Sequence, residues 1–196
     1  MKITDLDFPY PEELVATERA EKTRTMLVGM NEPQEISRDE LLGLFREGDL
    51  WVVNETRVLK RRVFTKQGLE ILFIKPLSRD RSEWEVLCPS SRWKQGTDQT
   101  VGSVGFSLIE RGKPQRLLSS VPLDEDFFEE AGELPLPPYI QKARGERHTR
   151  AEDDSQYQSI WAKNAGSLAA PTASFHFDAD FERELQSRGV EFAKVT

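Results

Sequence analysis

The sequence has a single cysteine, Cys88, and only two histidines among its 196 residues. One cysteine excludes a disulfide framework within the chain, so the composition favours a reducing, cytoplasmic location. The few sulfur and imidazole ligands lie far apart in the sequence, so we expect no metal site. We interpret Cys88 as a small buried residue on a strand, because no neighbouring motif favours a reactive thiolate.

Long apolar runs are also missing. No segment approaches the roughly 20 consecutive apolar residues that a membrane-spanning helix needs, and the acidic N-terminus has no signal-peptide pattern. We therefore expect no membrane partner. The sequence contains no GxxxxGK or GxGxxG motif and nothing that resembles a nucleophile elbow. The usual signatures of phosphate-loop, dinucleotide-binding and serine-hydrolase sites are thus absent.

Basic residues are in the minority, with 27 Lys and Arg against 34 Asp and Glu and a formal net charge of −7. This balance argues against non-specific binding of nucleic acid by the chain as a whole. Two local basic clusters have two interpretations, a solvated surface or a docking point for an anionic partner. The clusters are Arg57, Lys60, Arg61, Arg62 and Lys66, and Lys142, Arg144, Arg147, His148 and Arg150.

The residues that are present, 37% hydrophobic and 31% charged, are typical of a globular chain with a core. Ser37 and Glu40 form a capping-box pattern that predicts a helix, and Gly48 ends it. Leu50–Val53 predicts a buried strand. Evenly spaced β-prone runs then predict a small β-barrel or sandwich; they are Leu69–Ile74, Trp84–Cys88, Gly105–Ile109 and Leu117–Val121.

The C-terminal part of the chain predicts a mixture of helices and strands. Three prolines favour an extended Leu134–Ile140, and the charged stretch 141–155 is predicted to be mobile. A helix is predicted at Asp124–Ala131 and a strand at Tyr157–Ala162. A further helix begins at its cap, Asp178, carries Phe181 and Leu185 on its apolar side, and ends at Gly189. The last predicted strand is Val190–Val195. The predicted class is α/β: a mixed-sheet domain from residues 1–59 plus 132–196, with a small β-barrel inserted at 60–131.

The run GSLAAPTASFHF, Gly166–Phe177, is the strongest candidate for a site. In an extended segment Thr172, Ser174 and His176 point to one side, because side chains alternate along a strand. Small residues around Pro171 allow a ligand to approach the backbone closely. A tight structural loop packed under a helix is the alternative interpretation.

Several other side chains have two interpretations. Tyr139, Trp93 and Trp161 are suited to stacking on a base or an adenine ring, but packing in a core is the favoured interpretation for each of them. The adjacent carboxylates Asp153 and Asp154 predict a solvated pair.

Six segments in order resemble the S-adenosylmethionine:tRNA ribosyltransferase-isomerase family of queuosine biosynthesis. The most specific of them are NETRV within Gly48–Val58, GELPLPPYI at Gly132–Ile140 and YQSIWAKNAGSLAAPTASFHF at Tyr157–Phe177. The others are FPYPEEL at Phe8–Leu14, GLEILFIKPL at Gly68–Leu77 and WEVLCPSSRWKQG at Trp84–Gly96. The resemblance covers essentially the whole chain and is weakest across Thr97–Phe128.

This resemblance implies an α/β domain with an inserted barrel and an unusual use of S-adenosylmethionine as a substrate, with no separate cofactor. The family transfers and isomerises the ribosyl unit onto 7-aminomethyl-7-deazaguanine at the tRNA wobble position, which gives epoxyqueuosine and releases adenine and methionine. Such chemistry needs a base beside the acidic ribose 5′ carbon and a donor near the departing adenine. His176 suits either task, because imidazole exchanges its proton near neutral pH.

The resemblance assigns the remaining roles as follows. Thr172 joins His176 as a catalytic candidate. Asn54, Thr56 and Arg57 lie at the end of a predicted strand, where α/β sheets bind ligands. Arg57 has two interpretations, a contact with a carboxylate or tRNA phosphate and a surface salt bridge. The predicted substrate-binding residues are Asn54, Thr56, Arg57, Pro171 and Ser174, and the predicted tRNA-binding residues are Arg61, Arg62, Lys142 and Arg144.

The chain departs from the family pattern in composition and length. Ser174-Phe175 replaces Gly-Leu, Asp178 replaces Thr, and Lys60-Arg61-Arg62 replaces Pro-Ala-Arg. Phe175 and Asp178 are expected to alter or block the pocket. Family members continue beyond Thr196, so we expect either a missing C-terminal part or a shortened homo-oligomer. The alternative function is a non-catalytic module that binds tRNA or a protein.

Overall fold

A computed structural model describes residues 2, 4, 7, 10–20, 23–29, 32–94 and 96–196. Phe8 and Pro9, which open the first family-like segment, lie outside the described residues. The helices are α1 Arg38–Gly43, α2 Glu125–Ala131, α3 Pro138–Arg144, α4 Asp153–Gln156 and α5 Ala179–Ser187. The strands are β1 Thr25–Leu27, β2 Gln34–Ile36, β3 Leu50–Asn54, β4 Thr56–Val58, β5 Arg62–Phe64, β6 Glu70–Pro76, β7 Glu83–Leu87, β8 Gln99–Val101, β9 Val104–Glu110, β10 Gln115–Ser119, β11 Gly132–Glu133, β12 Asn164–Ser167 and β13 Glu191–Val195.

The two ends of the chain meet in two short parallel strand pairs. β13 pairs with β3, and β12 pairs with β4. Trp51 on β3 stacks on Phe45 at 4.9 Å and on Phe192 at 5.9 Å between ring centroids. Leu42, Phe181 and Leu185 from α1 and α5 complete this cluster. This face of the β3–β13 pair is therefore covered by helices.

The opposite face of the same strand pair is open. Leu50 and Val52 are 60% and 55% exposed, and Val195 on β13 is 50% exposed. The prediction of a buried strand at Leu50–Val53 was therefore right about the strand and wrong about its burial. Alternation of side chains along β3 explains the difference, because helices from the described residues cover only one face.

A seven-stranded antiparallel sheet occupies the middle of the chain, with strand order β11-β5-β6-β7-β10-β9-β8. It curls into a half-barrel around eleven buried side chains that include Phe73, Trp84 and Phe106. The N–H of Lys66 donates to the carbonyl of Thr100 at 2.7 Å, which links the β5 end of the curl to β8. This link satisfies backbone groups that an open sheet edge would leave exposed.

Helix α2 packs against one end of the half-barrel. Phe128 from α2 lies 5.2 Å from Phe73 and 5.3 Å from Trp84 between ring centroids. Asp124 caps the helix by accepting a hydrogen bond from the N–H of Phe127 at 2.9 Å. The predicted helix at Asp124–Ala131 is confirmed, and so are the four predicted strands of the barrel region.

Among the other predicted helix signals three are confirmed and one was wrong. Gly48 does not end the first helix, because α1 already ends at Gly43 and Leu44 is its C-cap. Ser37 and Glu40 form both hydrogen bonds of a capping box, at 2.7 and 3.2 Å. Asp178 accepts from the N–H of Phe181 at 2.7 Å and begins α5. Gly189 follows α5 with a φ of +82°, a conformation that favours glycine.

Three local predictions were wrong. The segment Leu134–Ile140 is not extended throughout, because α3 begins at Pro138, where a proline at the first helical position costs no hydrogen bond. Residues 141–155 contain the end of α3 and part of α4 and carry a buried ion pair. Tyr157–Ala162 forms turns after α4 rather than a strand, and the next strand is β12.

The α/β class with a curled barrel-like sheet is confirmed. One detail differs, because Gly132 and Glu133 form β11 and pair with β5, so they belong to the barrel sheet. The division into two domains stays a prediction.

Among the described residues, no helix combines the length and apolar character needed to cross a membrane.

Gly132 provides a test of the junction between α2 and the barrel sheet. A Cβ at this position would lie closer than 3.0 Å to the carbonyl oxygens of Lys60 and Phe128. We expect Gly132→Ala to lower the free energy of unfolding by about 1–3 kcal/mol, because backbone atoms must move. Gly43→Ala is the control, since nothing lies within 4 Å of its added Cβ. Urea unfolding of both variants checks this, and equal stability would contradict it.

Candidate functional site

Parallel pairing of β4 with β12 brings two of the three most specific family-like segments side by side. Asn164 lies opposite Thr56, and Ala165 lies opposite Arg57. The N–H of Leu59 donates to the carbonyl of Ser167 at 2.9 Å and extends the pairing. NETRV and GSLAAP, about one hundred residues apart in sequence, therefore share one small sheet.

Gln158 strengthens this pairing from the side. Its side-chain carbonyl accepts from the N–H of Val58 at 2.9 Å, and its amide donates to the carbonyl of Val58 at 3.0 Å. The Gln158 side chain thus provides hydrogen-bond partners for both the N–H and the carbonyl of Val58, a residue that is 1% exposed. No pattern in the sequence singles out this glutamine.

The predicted substrate-binding residues on β3 and β4 contact one another or a neighbouring carboxylate. The Asn54 side-chain oxygen accepts from the N–H of Thr56 at 2.7 Å and from its hydroxyl at 2.6 Å, which closes a tight turn. Arg57 lies 3.9 Å from Glu129, with both side chains partly exposed. Of its two interpretations, the structure shows the surface ion pair.

Thr172–His176 is a 3-10 helix, so the expectation of an extended run was wrong. Three residues per turn bring Thr172 and Phe175 onto one face, with His176 next to them. Ser174 accepts a backbone hydrogen bond from Phe177 at 3.3 Å, and its side chain does not line the same surface. The turn thus separates Ser174 from Thr172 and His176, whereas an extended segment would have aligned all three side chains.

A cavity of about 580 Å³ lies against this 3-10 helix. Thr172, Phe175 and His176 form one side of it. The N-terminal segment and helices α3 and α4 form the rest, through residues that include Tyr10, Val15, Thr17, Glu18, Arg19, Leu136, Tyr139, Ile140, Arg144, Asp153, Gln156 and Tyr157. Asn54, Thr56, Arg57 and Pro171 do not line this cavity.

Arg19 ties the N-terminal segment to the turn that carries His176. Its guanidinium donates to the carbonyl of Phe175 at 2.7 and 3.0 Å and to that of Phe177 at 3.1 Å. The same group lies 5.5 Å from the centre of the Phe175 ring. Because these carbonyls flank His176, Arg19 restrains the backbone on both sides of the imidazole.

Phe175 and Asp178 do not block the cavity. The Phe175 ring packs edge-on against Tyr157 at 5.8 Å and forms part of the wall. Burial raises the pKa of the Tyr157 phenol, although a hydrogen bond with the backbone of Ala170 partly opposes the shift. Asp178 lies outside the lining, where a hydrogen bond from Arg38 and its cap bond lower its pKa.

The base of the cavity contains a buried ion pair. Arg144 and Asp153 form two parallel hydrogen bonds of 2.7 and 2.8 Å, and their side chains are 5% and 3% exposed. Arg144 also donates to the carbonyl of Thr17 at 2.9 Å, which fixes the N-terminal segment. The prediction that Asp153 and Asp154 form a solvated pair was therefore wrong for Asp153.

Burial alone would raise the pKa of the Asp153 carboxyl. Hydrogen bonds from Arg144 and from the backbone of Arg150, together with the Arg144 charge, outweigh burial and hold the pKa below its usual range. The carboxylate is therefore the stable form. Nowhere in the described ranges do three or more His, Cys, Asp or Glu side chains come together as potential metal ligands.

Residues 3–196 match the family described as "Queuosine biosynthesis protein". The chain belongs to this family. An S-adenosylmethionine:tRNA ribosyltransferase-isomerase from Geobacter metallireducens is 34% identical over 210 residues, which cover 100% of this chain and 60% of that protein. Its namesake from Carboxydothermus hydrogenoformans is 37% identical over 209 residues, covering 100% and 59%.

The crystal structure of an S-adenosylmethionine tRNA ribosyltransferase from Thermotoga maritima is also similar. It is 23% identical, with coverage of 96% of this chain and 56% of that chain, and its TM-score is 0.34. The queuosine family chain described here spans about 60% of the length of the two curated relatives.

The predicted tRNA-binding residues of this queuosine family chain have partners inside the protein. Arg61 pairs with Glu125 at 2.8 Å and lies 4.0 Å from the ring centre of Phe128, so it fixes α2. Arg62 is 1% exposed and pairs with Glu133 at 3.0 Å. Together with the burial of Arg144, these contacts correct the prediction for three of four residues, because a buried guanidinium has no surface for a phosphate.

Lys142 remains on the surface, where it pairs with Glu12.

The three aromatic residues considered for stacking also differ in their exposure. Trp93 and Trp161 are 2% and 5% exposed, so they belong to the core, whereas Tyr139 is 55% exposed and lines the cavity. Cys88 is only partly buried and follows β7, and desolvation raises the pKa of its thiol.

The Arg144–Asp153 pair predicts a large effect on stability. Arg144→Met should lower the free energy of unfolding by about 3–5 kcal/mol, because it leaves a buried carboxylate without a counter-charge. Arg183→Met is the matched control, since Arg183 and its partner Asp180 are 71% and 72% exposed. The control should change stability by about 1 kcal/mol or less. Thermal and urea unfolding measure both, and similar losses would contradict the buried-pair interpretation.

The Arg144–Asp153 pair also predicts that the free energy of unfolding depends on pH. The pKa of Asp153 is lower in the folded chain than the roughly 3.9 of an unfolded aspartate. Its contribution to stability is therefore present above that unfolded value and is lost as pH falls through the folded value. The stability difference between the unsubstituted chain and Asp153→Asn should shrink from pH 6 to pH 3 in urea titrations. A difference independent of pH would contradict this.

Proposed function

We propose that the chain takes part in tRNA modification as an S-adenosylmethionine:tRNA ribosyltransferase-isomerase. In this reaction the ribosyl unit of S-adenosylmethionine is transferred to 7-aminomethyl-7-deazaguanine at the tRNA wobble position and isomerised. Epoxyqueuosine forms, and adenine and methionine are released. The observation that carries the proposal is the cavity beside the family-like segment, with His176 and Thr172 in its wall.

The character of the cavity suits S-adenosylmethionine. Its volume of about 580 Å³ falls within the range of about 300–1,000 Å³ typical of small-molecule sites. Tyr139, Tyr157 and Phe175 provide ring surfaces suited to a purine. Aromatic faces also attract a cation, and the sulfonium of S-adenosylmethionine carries a positive charge.

His176 is the residue to which we assign proton transfer. Its side chain is exposed to the cavity, and imidazole can accept or donate a proton near neutral pH. As a base it would take a proton from the ribose 5′ carbon beside the sulfonium, and as an acid it would protonate the departing adenine. Thr172 would hydrogen-bond the ribose or orient the imidazole. Arg19 acts as a positioning residue for the turn.

A second candidate is a module that binds tRNA or a protein without turnover. It is favoured by the open face of β3 and β13, where Leu50, Val52 and Val195 are half or more exposed. Apolar strand surface of this kind is usually covered by another element or by a partner. A second copy of the chain would provide such cover.

Adenine release provides the decisive test. The chain would be incubated with S-adenosylmethionine and tRNA carrying 7-aminomethyl-7-deazaguanine, and adenine and methionine would be quantified by chromatography. We expect His176→Ala to slow release by about 10²-fold or more, because general acid–base catalysis is removed. His148→Ala is the control, since His148 contacts Glu133 outside the cavity and is 67% exposed.

Each outcome has a separate meaning. If the unsubstituted chain releases no adenine while it binds tRNA, the enzyme proposal fails and the module is supported. If His176→Ala and the unsubstituted chain release adenine at equal rates, the reaction stands but the role of His176 is rejected.

A further inference from the structure

One end of the half-barrel carries positive charge that the rest of the protein does not neutralise. Three loops form this end, which we call the basic rim: the β5–β6 hairpin, the loop from β7 to β8, and the β9–β10 hairpin. Five cationic residues lie in these loops, and each of them is exposed: Lys66, Arg92, Lys94, Arg111 and Lys113. Asp98 is the one acidic residue in the described parts of the loops, and it accepts a hydrogen bond from Ser107.

Apart from Lys66, the basic rim consists of residues outside the two basic clusters that the sequence suggested. Within the described residues, Lys66, Arg92, Lys94 and Lys113 form no ion pair, whereas Arg61, Arg62 and Arg144 are buried against carboxylates. The opposite end of the half-barrel is balanced. There the β6–β7 loop carries Arg79, Asp80 and Arg81, the start of α2 adds Asp124 and Glu125, and Arg81 pairs with Glu125 at 2.6 Å.

Hydrogen bonds hold the loops of the basic rim together. Arg111 donates to the carbonyls of Ser90 and Trp93, which ties the β9–β10 hairpin to the loop after β7. The backbone bond from Lys66 to Thr100 ties the β5–β6 hairpin to β8. The charges are therefore mounted on linked loops with a fixed arrangement, which suits recognition of a rigid anionic partner.

The basic rim lies outside the cavity, because none of its five cationic residues lines the cavity. The chain enters the barrel sheet at Arg62, which lies opposite Leu72 on β6, so roughly 7 Å of strand separates this entry from the rim end of β6. Arg147 of the α/β part pairs with Glu70, the first residue of β6, at 2.8 Å. A partner that occupies the cavity and touches the basic rim must therefore extend out of the cavity and across the surface.

We infer that the basic rim binds the phosphate backbone of tRNA, outside the cavity in which the reaction takes place. This inference deepens the proposed function and rests on it for the identity of the RNA. A folded RNA is long, rigid and uniformly anionic, which fits both the charge and the position of the rim. Contacts to phosphates position a nucleic acid without reading its sequence. The basic rim therefore sets the affinity for tRNA, and the cavity determines which reaction takes place.

The test compares two variants with the same change in net charge. The rim variant carries Arg92→Gln, Lys94→Gln and Lys113→Gln. The control carries Arg46→Gln, Arg183→Gln and Lys194→Gln, which are exposed and lie in the α/β part. Arg111 is kept, because its guanidinium holds the loops. Binding of fluorescently labelled tRNA is measured by anisotropy at several salt concentrations, and adenine release is measured at saturating tRNA.

We expect the rim variant to bind tRNA on the order of tenfold more weakly, and the control to bind as the unsubstituted chain does. The slope of log affinity against log salt should fall by about one for each phosphate that the rim no longer neutralises. The reduction in affinity should be the same for tRNA with and without the deazaguanine precursor. Adenine release at saturating tRNA should be unchanged, because the rim does not touch the reacting groups.

Equal tRNA affinity for the rim variant and the control would overturn the inference and leave the proposed function standing. Rim-dependent tRNA binding by a chain that releases no adenine would support the inference and reject the enzyme. If the chain binds no tRNA, or its rim binds only vesicles of anionic phospholipid, the inference is overturned.

Discussion

Parallel pairing of the two chain ends is the constraint on which the rest of this structure depends. β3 with β13 and β4 with β12 are both parallel pairs, and parallel strands cannot be joined by a tight hairpin. The intervening chain must leave the sheet and return. Here that excursion is long enough to form a half-barrel with its own core. Each doubling of such a loop adds only about 0.6 kcal/mol of closure entropy, so a long insertion is tolerated.

The same pairing creates the candidate site. It places β12 beside β4, and the 3-10 turn with His176 follows β12 in the chain. The N-terminal segment then completes the cavity, held by Arg19 and by the Arg144 bond to Thr17. The site is thus assembled from three distant parts of the chain, and the polar contacts that hold them include arginine bonds to backbone carbonyls. Such bonds carry charge, which makes them stronger than neutral ones.

Burial divides the arginines of this protein into two groups with different functions. Arg61, Arg62 and Arg144 are structural, because each is desolvated against a carboxylate. Desolvation is tolerated only when such a partner is present. Their partners lie 64, 71 and 9 residues away in sequence. A cluster of Lys and Arg residues in the sequence therefore does not show which of them form ion pairs in the folded protein. The basic rim has the opposite property, since its charges are spread over three loops and meet only in the fold.

Local patterns in the sequence determined much of this protein. Capping residues located α1 and α5, and evenly spaced β-prone runs located the barrel strands, because these signals act between near neighbours. The family-like segments also marked the loop before His176. Only the tertiary structure decided that this loop is a 3-10 turn, that Phe175 forms a wall, and that Arg19 and Gln158 support the site. Those outcomes depend on contacts between residues about one hundred or more positions apart, and such contacts leave no periodic trace in the sequence.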